Sequence, residues 1–291
     1  MDNSAYSIPT KDLFKLQNRT ILVSGGLGGV GSHLVLSILE SGADVICLDL
    51  PEHPQDLERF HNVATENEAR YFYYSVNVTD ADQVSNVMEQ AVKGLRYPLR
   101  GVVTTAGISG ECDAVDYPAE DFRRVLDTNV MGTFLVVQAA ARVMREQKSA
   151  GSVVLIASMS GSVANRVRIN LHLEQIRVYL LNGRKGVNTA AYNSSKAAVQ
   201  QLARSLAAEW GNQADSPPIR VNSISPGYII TGLSAGAMAR PEVKAQWLDG
   251  SMLGRFSHPE EYRAPILFML SDGSSFMTGA DLKCDGGHTA W

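Results

Sequence analysis

The stretch RTILVSGGLGGVGSHLVLSILESG, residues 19–42, decides the fold of this chain. It has a short apolar run, then a glycine-rich turn, then a segment with apolar residues at helical spacing that stops at Gly42. A second apolar run, DVICL at 44–48, follows at once and ends at Asp49. The strand, turn, helix and second strand form a βαβ unit, which predicts that the two strands pair in parallel.

The glycines of the turn fit a dinucleotide-binding loop. Gly25, Gly29 and Gly31 lie where the backbone must turn tightly and approach a pyrophosphate without Cβ atoms, at a helix N-terminus that binds anions. Asp49 would accept hydrogen bonds from the adenosine ribose and repel a 2′-phosphate. No Lys or Arg between Ser24 and Gly31 would attract that phosphate. These residues predict NAD, with NADP less favoured; the alternative is that Asp49 is an ordinary strand-end residue.

Short apolar runs alternate with helical segments along the rest of the chain. Further strands are predicted at 71–78, 99–105, 152–157, 219–224 and 280–284, with an irregular region at 233–255 and a helix that Thr79 caps. Without a linker or repeat, this predicts a Rossmann-type, doubly wound α/β fold whose parallel sheet is covered by helices on both faces. We expect an N-terminal extension at 1–18 and a single domain at 19–291.

Composition and charge narrow the possible functions. The chain of 291 residues is 45% hydrophobic and 19% charged, which is typical of a globular protein, and its formal net charge of −4 disfavours nucleic acid or an anionic membrane as a partner. The three cysteines are far apart and the six histidines share no ligand spacing, so no metal site is predicted. The sequence shows no signal or transmembrane segment, and we expect a cytoplasmic protein.

A second informative stretch is TAAYNSSKAAVQ at 189–200, which opens a long predicted helix. Tyr192 and Lys196 are four residues apart, so they share one helix face. A nearby cation favours the phenolate, and we expect it to lower the pKa of Tyr192 so that this residue exchanges a proton at neutral pH. A Tyr and a Lys at this spacing are usually an exposed pair on a helix surface without a catalytic role. Of the ten tyrosines, however, Tyr192 alone has a Lys four residues later.

Several motifs occur in the order found in the short-chain dehydrogenase/reductases, which this chain resembles. They are SGGLGGVG at 24–31, Asp49, NVTD at 77–80, TAGIS at 105–109, Asn129 in LDTNVMGTF, Ser158 in IASMSG, YNSSK at 192–196 and SPGYIITGL at 225–233. AAYNSSKAAV, LARSLAAEWG and DGGHTAW look most like fungal NAD-linked polyol dehydrogenases of the D-arabinitol 2-dehydrogenase type. The resemblance implies a seven-stranded single domain, a homotetramer or homodimer, and oxidoreduction between a secondary alcohol and a ketone, such as a small polyol and its ketose.

The resemblance also implies roles for individual residues. Tyr192 would be the acid/base, and Lys196 would lower its pKa and hold the nicotinamide ribose. Ser158 would hydrogen-bond the substrate oxygen, while Asn129 would anchor a water that links Lys196 to solvent. The implied cofactor contacts are Ser24, Gly25, Gly29, Val30, Gly31, Asp49, Asn77, Val78, Ala106, Gly107, Tyr192, Lys196, Ile229 and Thr231. Without the Tyr–Lys pair, Asn129 and Ser158 would be interpreted as capping or turn residues.

The chain departs from the family pattern in three places. Thr104 and Thr105 replace two asparagines after the fourth strand, and Asn77 replaces an aspartate. The third departure is an additional segment, roughly residues 166–185, between Ser158 and Tyr192. It could be a lid over the site, an oligomer or partner contact, or a translated intron; we slightly favour the intron because removing the segment restores the family spacing.

Two other functions remain open at this point. A reductase that tailors a secondary metabolite would share the same catalytic residues, because the loops that form the substrate pocket are the part that the motifs do not describe. A catalytically silent NAD-binding protein would belong to a different class, and its only support is the additional segment.

Overall fold

Seven strands form one sheet in the computed structural model of the protein, which describes residues 8–164 and 187–291. The strand order is β3-β2-β1-β4-β5-β6-β7, and every neighbouring pair is parallel. The strands are β1 (Thr20–Ser24), β2 (Asp44–Asp49), β3 (Tyr71–Ser75), β4 (Leu99–Thr104), β5 (Gly151–Ile156), β6 (Ile219–Pro226) and β7 (Asp281–Cys284). The predicted parallel, doubly wound sheet is confirmed; its third strand ends three residues earlier than expected.

Helices cover both faces of this sheet. Within the described residues they are α1 (Gly31–Glu40), α2 (Glu58–Glu66), α3 (Ala81–Val92), α4 (Ala119–Leu126), α5 (Thr133–Glu146), α6 (Ala190–Trp210), α7 (Gly232–Met238), α8 (Pro241–Asp249) and α9 (Arg263–Leu270). A π-helical turn, Asp127–Gly132, joins α4 to α5. None of the helices described is both long enough and apolar enough to cross a bilayer.

The central strands carry apolar residues at consecutive positions because each face of the sheet has its own core. On β4, Val102 packs into the core that contains α3, α5 and α6, whereas Val103 packs into the core that contains α1, α2 and α9. On β5, Val153 and Val154 divide between the same two cores. Successive strand side chains point to opposite faces, so a strand covered on both sides reads as a nearly continuous apolar run.

Two further local predictions differ from the structure. Asp80, not Thr79, caps α3, because its carboxylate accepts a hydrogen bond from the backbone N–H of Gln83 at 3.0 Å. The region predicted to be irregular at 233–255 contains α7 and α8: a capping box of Thr231 and Ser234 starts α7, and a proline in the first turn starts α8. Local capping therefore forms short helices without a strong apolar periodicity.

The predicted N-terminal extension is packed against the domain where it is described. The side chain of Leu16 is completely buried in the core beside α1, and its backbone N–H bonds Ser41. The domain boundary at residue 18 stays a prediction. The additional segment at 166–185 lies outside the described residues.

The strand order reverses between β1 and β4, which are neighbours at the centre of the sheet. Connections from β1 lead towards β3, and connections from β4 lead towards β7. The loops at the carboxyl ends of these two strands therefore separate and leave a crevice, the usual ligand position in an open α/β sheet.

Candidate active site

A cleft of about 650 Å³ lies at the carboxyl ends of the central strands. Its walls come from the glycine-rich loop after β1, the loop after β4, the turn after β5, α6, and the segment from β6 through α7. Of the predicted site residues, the structure brings ten into its lining. They are Gly25, Gly29, Val30, Gly31, Gly107, Ser158, Tyr192, Lys196, Ile229 and Thr231.

The glycine loop can be formed only without side chains at its key positions. Gly25 has a φ of +71°, and a Cβ there would lie 2.5 Å from the backbone N of Ala106. A Cβ on Gly31 would lie 2.1 Å from the carbonyl oxygen of Gly25. The bare backbone at the N-terminus of α1 leaves room for a pyrophosphate and directs N–H groups towards it, so these residues fit a dinucleotide.

Thr105 holds this loop in place, a role that sequence reasoning missed. Its hydroxyl donates to the carbonyl oxygens of Ser24 at 2.7 Å and Gly25 at 2.9 Å. The predicted cofactor residue Ser24 thus lies behind the loop and outside the cleft lining, as does Ala106. Thr105 stands where the family pattern has an amide side chain, and its hydroxyl ties β4 to the loop.

The residues predicted to lie near the adenosine of the cofactor, Asp49, Asn77 and Val78, make contacts within the protein itself. Asp49 at the end of β2 accepts hydrogen bonds from the backbone N–H groups of Leu27 at 2.9 Å and Leu50 at 2.8 Å. Asn77 is exposed and accepts from the backbone N–H of Thr79 at 3.1 Å. Val78 is buried in the core beside α5. These three predicted cofactor residues do not line the cleft.

Ser158, Tyr192 and Lys196 meet on the other wall of the cleft. Ser158 follows β5, while Tyr192 and Lys196 lie one turn apart near the start of α6. The Tyr192 hydroxyl lies beside the side chain of Ser158. The Lys196 ammonium lies 5.6 Å from the centre of the Tyr192 ring and donates to the carbonyl oxygen of Ile156 at 2.8 Å. Two hydroxyls and one cation thus face the same cleft.

The pKa of Tyr192 differs from the expectation. Burial raises it, because desolvation penalises the phenolate more than the neighbouring Ser158 side chain favours it. Burial also lowers the pKa of Lys196 to about 8. The predicted lowering of the Tyr192 pKa is therefore wrong for this arrangement, and Tyr192 holds its proton at neutral pH.

Asn129 lies behind the cleft, in the π-helical turn between α4 and α5, and is buried. Its side-chain oxygen accepts from the backbone N–H of Ile108 at 2.8 Å. Its side-chain nitrogen donates to the carbonyl oxygen of Ile108 and to the hydroxyl of Ser195, each at 2.9 Å. Asn129 thereby joins the loop after β4 to α6, beside Lys196. Its expected role as a water anchor stays a prediction.

The cleft also contains residues that the motif analysis did not single out. Tyr228 and Trp247 line it, and their rings stack 4.0 Å apart at 10°. Met159, Leu233 and Glu111 line it as well. The aromatic residue inside SPGYIITGL was the available signal for Tyr228, but Glu111 and Trp247 carry no local signature. Among the residues described, no group of three or more His, Cys, Asp or Glu could hold a metal ion.

Comparison with known proteins identifies the family. The short chain dehydrogenase family matches residues 19–170, and the enoyl-(acyl carrier protein) reductase family matches residues 178–289. A short chain dehydrogenase/reductase of Aspergillus versicolor, notP′, is 50% identical over 98% of this chain and 92% of its own length. This chain belongs to the short-chain dehydrogenase/reductase family. It is a short-chain alcohol dehydrogenase/ketoreductase, and members of this family bind a nicotinamide dinucleotide.

Other similar members of the family act on sugars or ketones, as their names state. The NADH-dependent L-xylulose reductase of Ambrosiozyma monospora is 32% identical, with 98% of each chain covered. The ribulose-forming D-arabinitol 2-dehydrogenase of Candida tropicalis is 30% identical, with 100% of each chain covered. The solved NADPH-dependent 3-quinuclidinone reductase of Rhodotorula rubra is 28% identical, with a TM-score of 0.83 over 98% of this chain and 97% of its own. The predicted resemblance to polyol dehydrogenases is confirmed, since relatives with these names are similar in sequence over nearly the whole chain.

Proposed function

We propose that this short-chain dehydrogenase/reductase uses NAD to interconvert a secondary alcohol and a ketone, with a small polyol and its ketose as the substrate pair. The observation that carries the chemistry is the contact between Ser158 and Tyr192 on a cleft wall, with Lys196 one helix turn below. A bound nicotinamide supplies or accepts the hydride. The polyol assignment is supported by the similarity to xylulose reductase and arabinitol dehydrogenase.

In the proposed reduction, Tyr192 donates its hydroxyl proton to the carbonyl oxygen as hydride reaches the carbonyl carbon and the C=O π bond breaks. The hydroxyl of Ser158 donates a hydrogen bond to the same oxygen and stabilises the charge that develops there. Lys196 lies beneath the phenol and favours the transient phenolate, which then regains a proton from solvent. The raised pKa of Tyr192 keeps the phenol protonated at neutral pH, the form that reduction requires.

Asn129 is proposed to support this set from behind, because its side chain fixes both the loop after β4 and the helix that carries Tyr192 and Lys196. The glycine loop is proposed to hold the pyrophosphate, and Ile229 and Thr231 the carboxamide end of the nicotinamide. Asp49 supports NAD over NADP, since its carboxylate lies at the end of β2 with no basic residue in the loop beside it.

Tyr192→Phe tests the chemical assignment. The substitution removes the proton donor and keeps the ring, so kcat is expected to fall by roughly a hundredfold or more, the usual contribution of general acid catalysis. Cofactor affinity, measured by NADH fluorescence, is expected to change little. Tyr117→Phe is a matched control on the loop before α4 and is expected to keep wild-type kcat. Near-normal turnover of Tyr192→Phe would refute the proposed role.

A bulkier ketone is the second candidate substrate, and the aromatic wall of the cleft favours it. The stacked rings of Tyr228 and Trp247, together with Met159 and Leu233, offer a polyol few polar partners. Initial rates with NADH and NADPH over a panel of ketoses and cyclic ketones distinguish the two. Turnover of cyclic ketones with none of any ketose would replace the polyol assignment and leave the alcohol–ketone chemistry intact.

A further inference from the structure

A buried polar network lies directly behind Ser158. Its centre is Gln200, which lies on α6 four residues after Lys196 and is 5% exposed. Burying an amide costs free energy unless its hydrogen bonds are satisfied. The partners of Gln200 therefore show what the side chain is held against.

The side-chain nitrogen of Gln200 faces four acceptors. They are the backbone oxygen of Ser158 at 3.2 Å, the hydroxyls of Ser162 at 3.0 Å and Ser225 at 2.9 Å, and a carboxylate oxygen of Asp281 at 3.3 Å. A carbonyl and a carboxylate can only accept, so the NH₂ group of the amide must point towards them. The orientation of Gln200 is thus fixed by its surroundings.

Asp281, on the edge strand β7, anchors the far side of this network. One of its carboxylate oxygens accepts from the hydroxyls of Ser223 at 2.8 Å and Ser225 at 2.7 Å. Lys283 lies 3.2 Å from the other oxygen. Side chains from β6 and β7 therefore hold the carboxylate, which in turn holds the amide of Gln200.

The turn that carries Ser158 rests against the same stretch of α6. Ser158 begins the short 3-10 helix Met159–Gly161, and a Cβ on Gly161 would lie 2.7 Å from the backbone N of Ala197. This close packing sets the distance between the turn and α6. The hydrogen bond from Gln200 to the Ser158 carbonyl restrains the turn at its first residue.

We infer that Gln200 is a positioning residue that fixes the Ser158 hydroxyl relative to Tyr192 through the Ser158 backbone, with Asp281 as its anchor. The inference rests on the proposed function, in which Ser158 and Tyr192 act on one substrate oxygen. Gln200 lies behind the turn and does not line the cleft, so it acts on the reaction only through the residue that it holds.

The test is a double-mutant cycle between Gln200→Met and Ser158→Ala, with kcat and KM measured for each variant. Methionine keeps the length of the side chain and removes both N–H donors. Gln200→Met alone is expected to lower kcat by roughly tenfold to a hundredfold, since a displacement of about 1 Å in a catalytic group costs up to about a hundredfold. In the Ser158→Ala background the same change is expected to cost less than about twofold, because the hydroxyl that it positions is gone.

Gln201→Met is the matched control, because Gln201 is the exposed neighbour on the same helix and its side chain bonds Arg204 alone among the residues that the structure describes. It is expected to match wild type in kcat and KM. Gln200→Glu, which also lacks the N–H donors, repeats the measurement if Gln200→Met does not fold. An equal loss of kcat in both backgrounds, or no loss in a folded Gln200 variant, would overturn the inference. Wild-type turnover of Ser158→Ala alone would instead refute the proposed role of Ser158.

Discussion

Lys196 carries its ammonium in an almost fully buried position. The residue is 6% exposed, and its ammonium has the carbonyl oxygen of Ile156 as its hydrogen-bond acceptor. Burial lowers its pKa from 10.5 to about 8. The folded state holds this proton less tightly than the unfolded chain. The cost of burying the charge is therefore at its full size below about pH 8, where the lysine is protonated in both states. The free energy of unfolding then rises with pH until the unfolded lysine also loses its proton.

Lys196→Met is therefore expected to abolish most activity and yet to stabilise the protein at pH 7. The free energy of unfolding is expected to rise by about 1–2 kcal/mol. This is the burial cost that the substitution removes, minus the contribution of the lost hydrogen bond to Ile156. Urea unfolding at pH 7 and at about pH 10.5 measures it, and the gain should disappear at the higher pH. Lys244→Met, an exposed lysine on α8, is expected to show no such pH-dependent difference. A less stable Lys196→Met at pH 7 would contradict the argument.

Asp49 is the residue on which the choice between NAD and NADP rests. Asp49→Asn retains an acceptor for the backbone of the glycine loop and removes the negative charge. The ratio of kcat/KM for NADPH to that for NADH is expected to rise by about tenfold or more, which corresponds to a lost repulsion of about 1.4 kcal/mol. Glu52→Gln, an exposed carboxylate nearby, is the control and should leave the ratio unchanged. An unchanged ratio in Asp49→Asn would remove the basis for preferring NAD.

The glycine loop is tied to the end of β4 through Thr105, whose backbone N–H bonds the Ser24 carbonyl oxygen and whose hydroxyl adds a second link. Thr105 donates to two loop carbonyls, whereas the hydroxyl of Thr104 is buried without a partner among the described residues. The same substitution at these two neighbours should therefore differ in its effect on protein stability.

Thr105→Val is expected to destabilise the protein by about 1 kcal/mol and to raise KM for the cofactor several-fold, because the loop loses the hydrogen bonding of this hydroxyl and keeps only the backbone link. Thr104→Val is expected to be neutral or slightly stabilising, since it removes an unsatisfied hydroxyl. Thermal unfolding and cofactor titration of both variants provide the measurement. Equal effects at the two positions would show that Thr105 has no special role in holding the loop.

At the scale of the whole molecule, an ion pair spans the mouth of the cleft. Both terminal nitrogens of Arg240, at the junction of α7 and α8, bind the carboxylate of Glu111 at 2.8 Å. Glu111 lies on the loop after β4, which also bonds Asn188 just before α6 through the N–H of Cys112. The pair therefore connects the short helices α7 and α8 to the loop after β4 on the opposite wall.

Arg240→Met is expected to raise KM for the substrate about threefold to tenfold with little change in stability, because a half-exposed ion pair contributes at most about 1 kcal/mol. Added salt should raise the wild-type KM towards the variant's value and leave the variant unaffected, since screening weakens only an intact pair. Arg255→Met breaks a similar two-bond pair with Glu261 that does not line this cleft. A response of KM to Arg255→Met equal to that of Arg240→Met would exclude a specific effect at the mouth.

Local patterns were enough to predict the sheet, the glycine loop and the Tyr192–Lys196 face, because each depends on spacing within one βαβ unit or one helix. The same reasoning missed α7 and α8, whose ends are formed by caps and whose apolar residues follow no strong period. It also predicted the wrong direction for the pKa shift of Tyr192. The four-residue spacing indicated that Lys196 is nearby but gave no measure of how deeply the phenol is buried.

The sequence by itself determined the fold class, the family and ten of the residues that line the cleft, since motifs and periodicity are properties of neighbouring positions. Only the tertiary structure decided how those residues are held: Thr105 on the glycine loop, Gln200 on Ser158, and Glu111 on Arg240. These contacts join positions from 42 to 129 residues apart. Their formation depends on packing and on the desolvation of each group, which residue order alone does not specify.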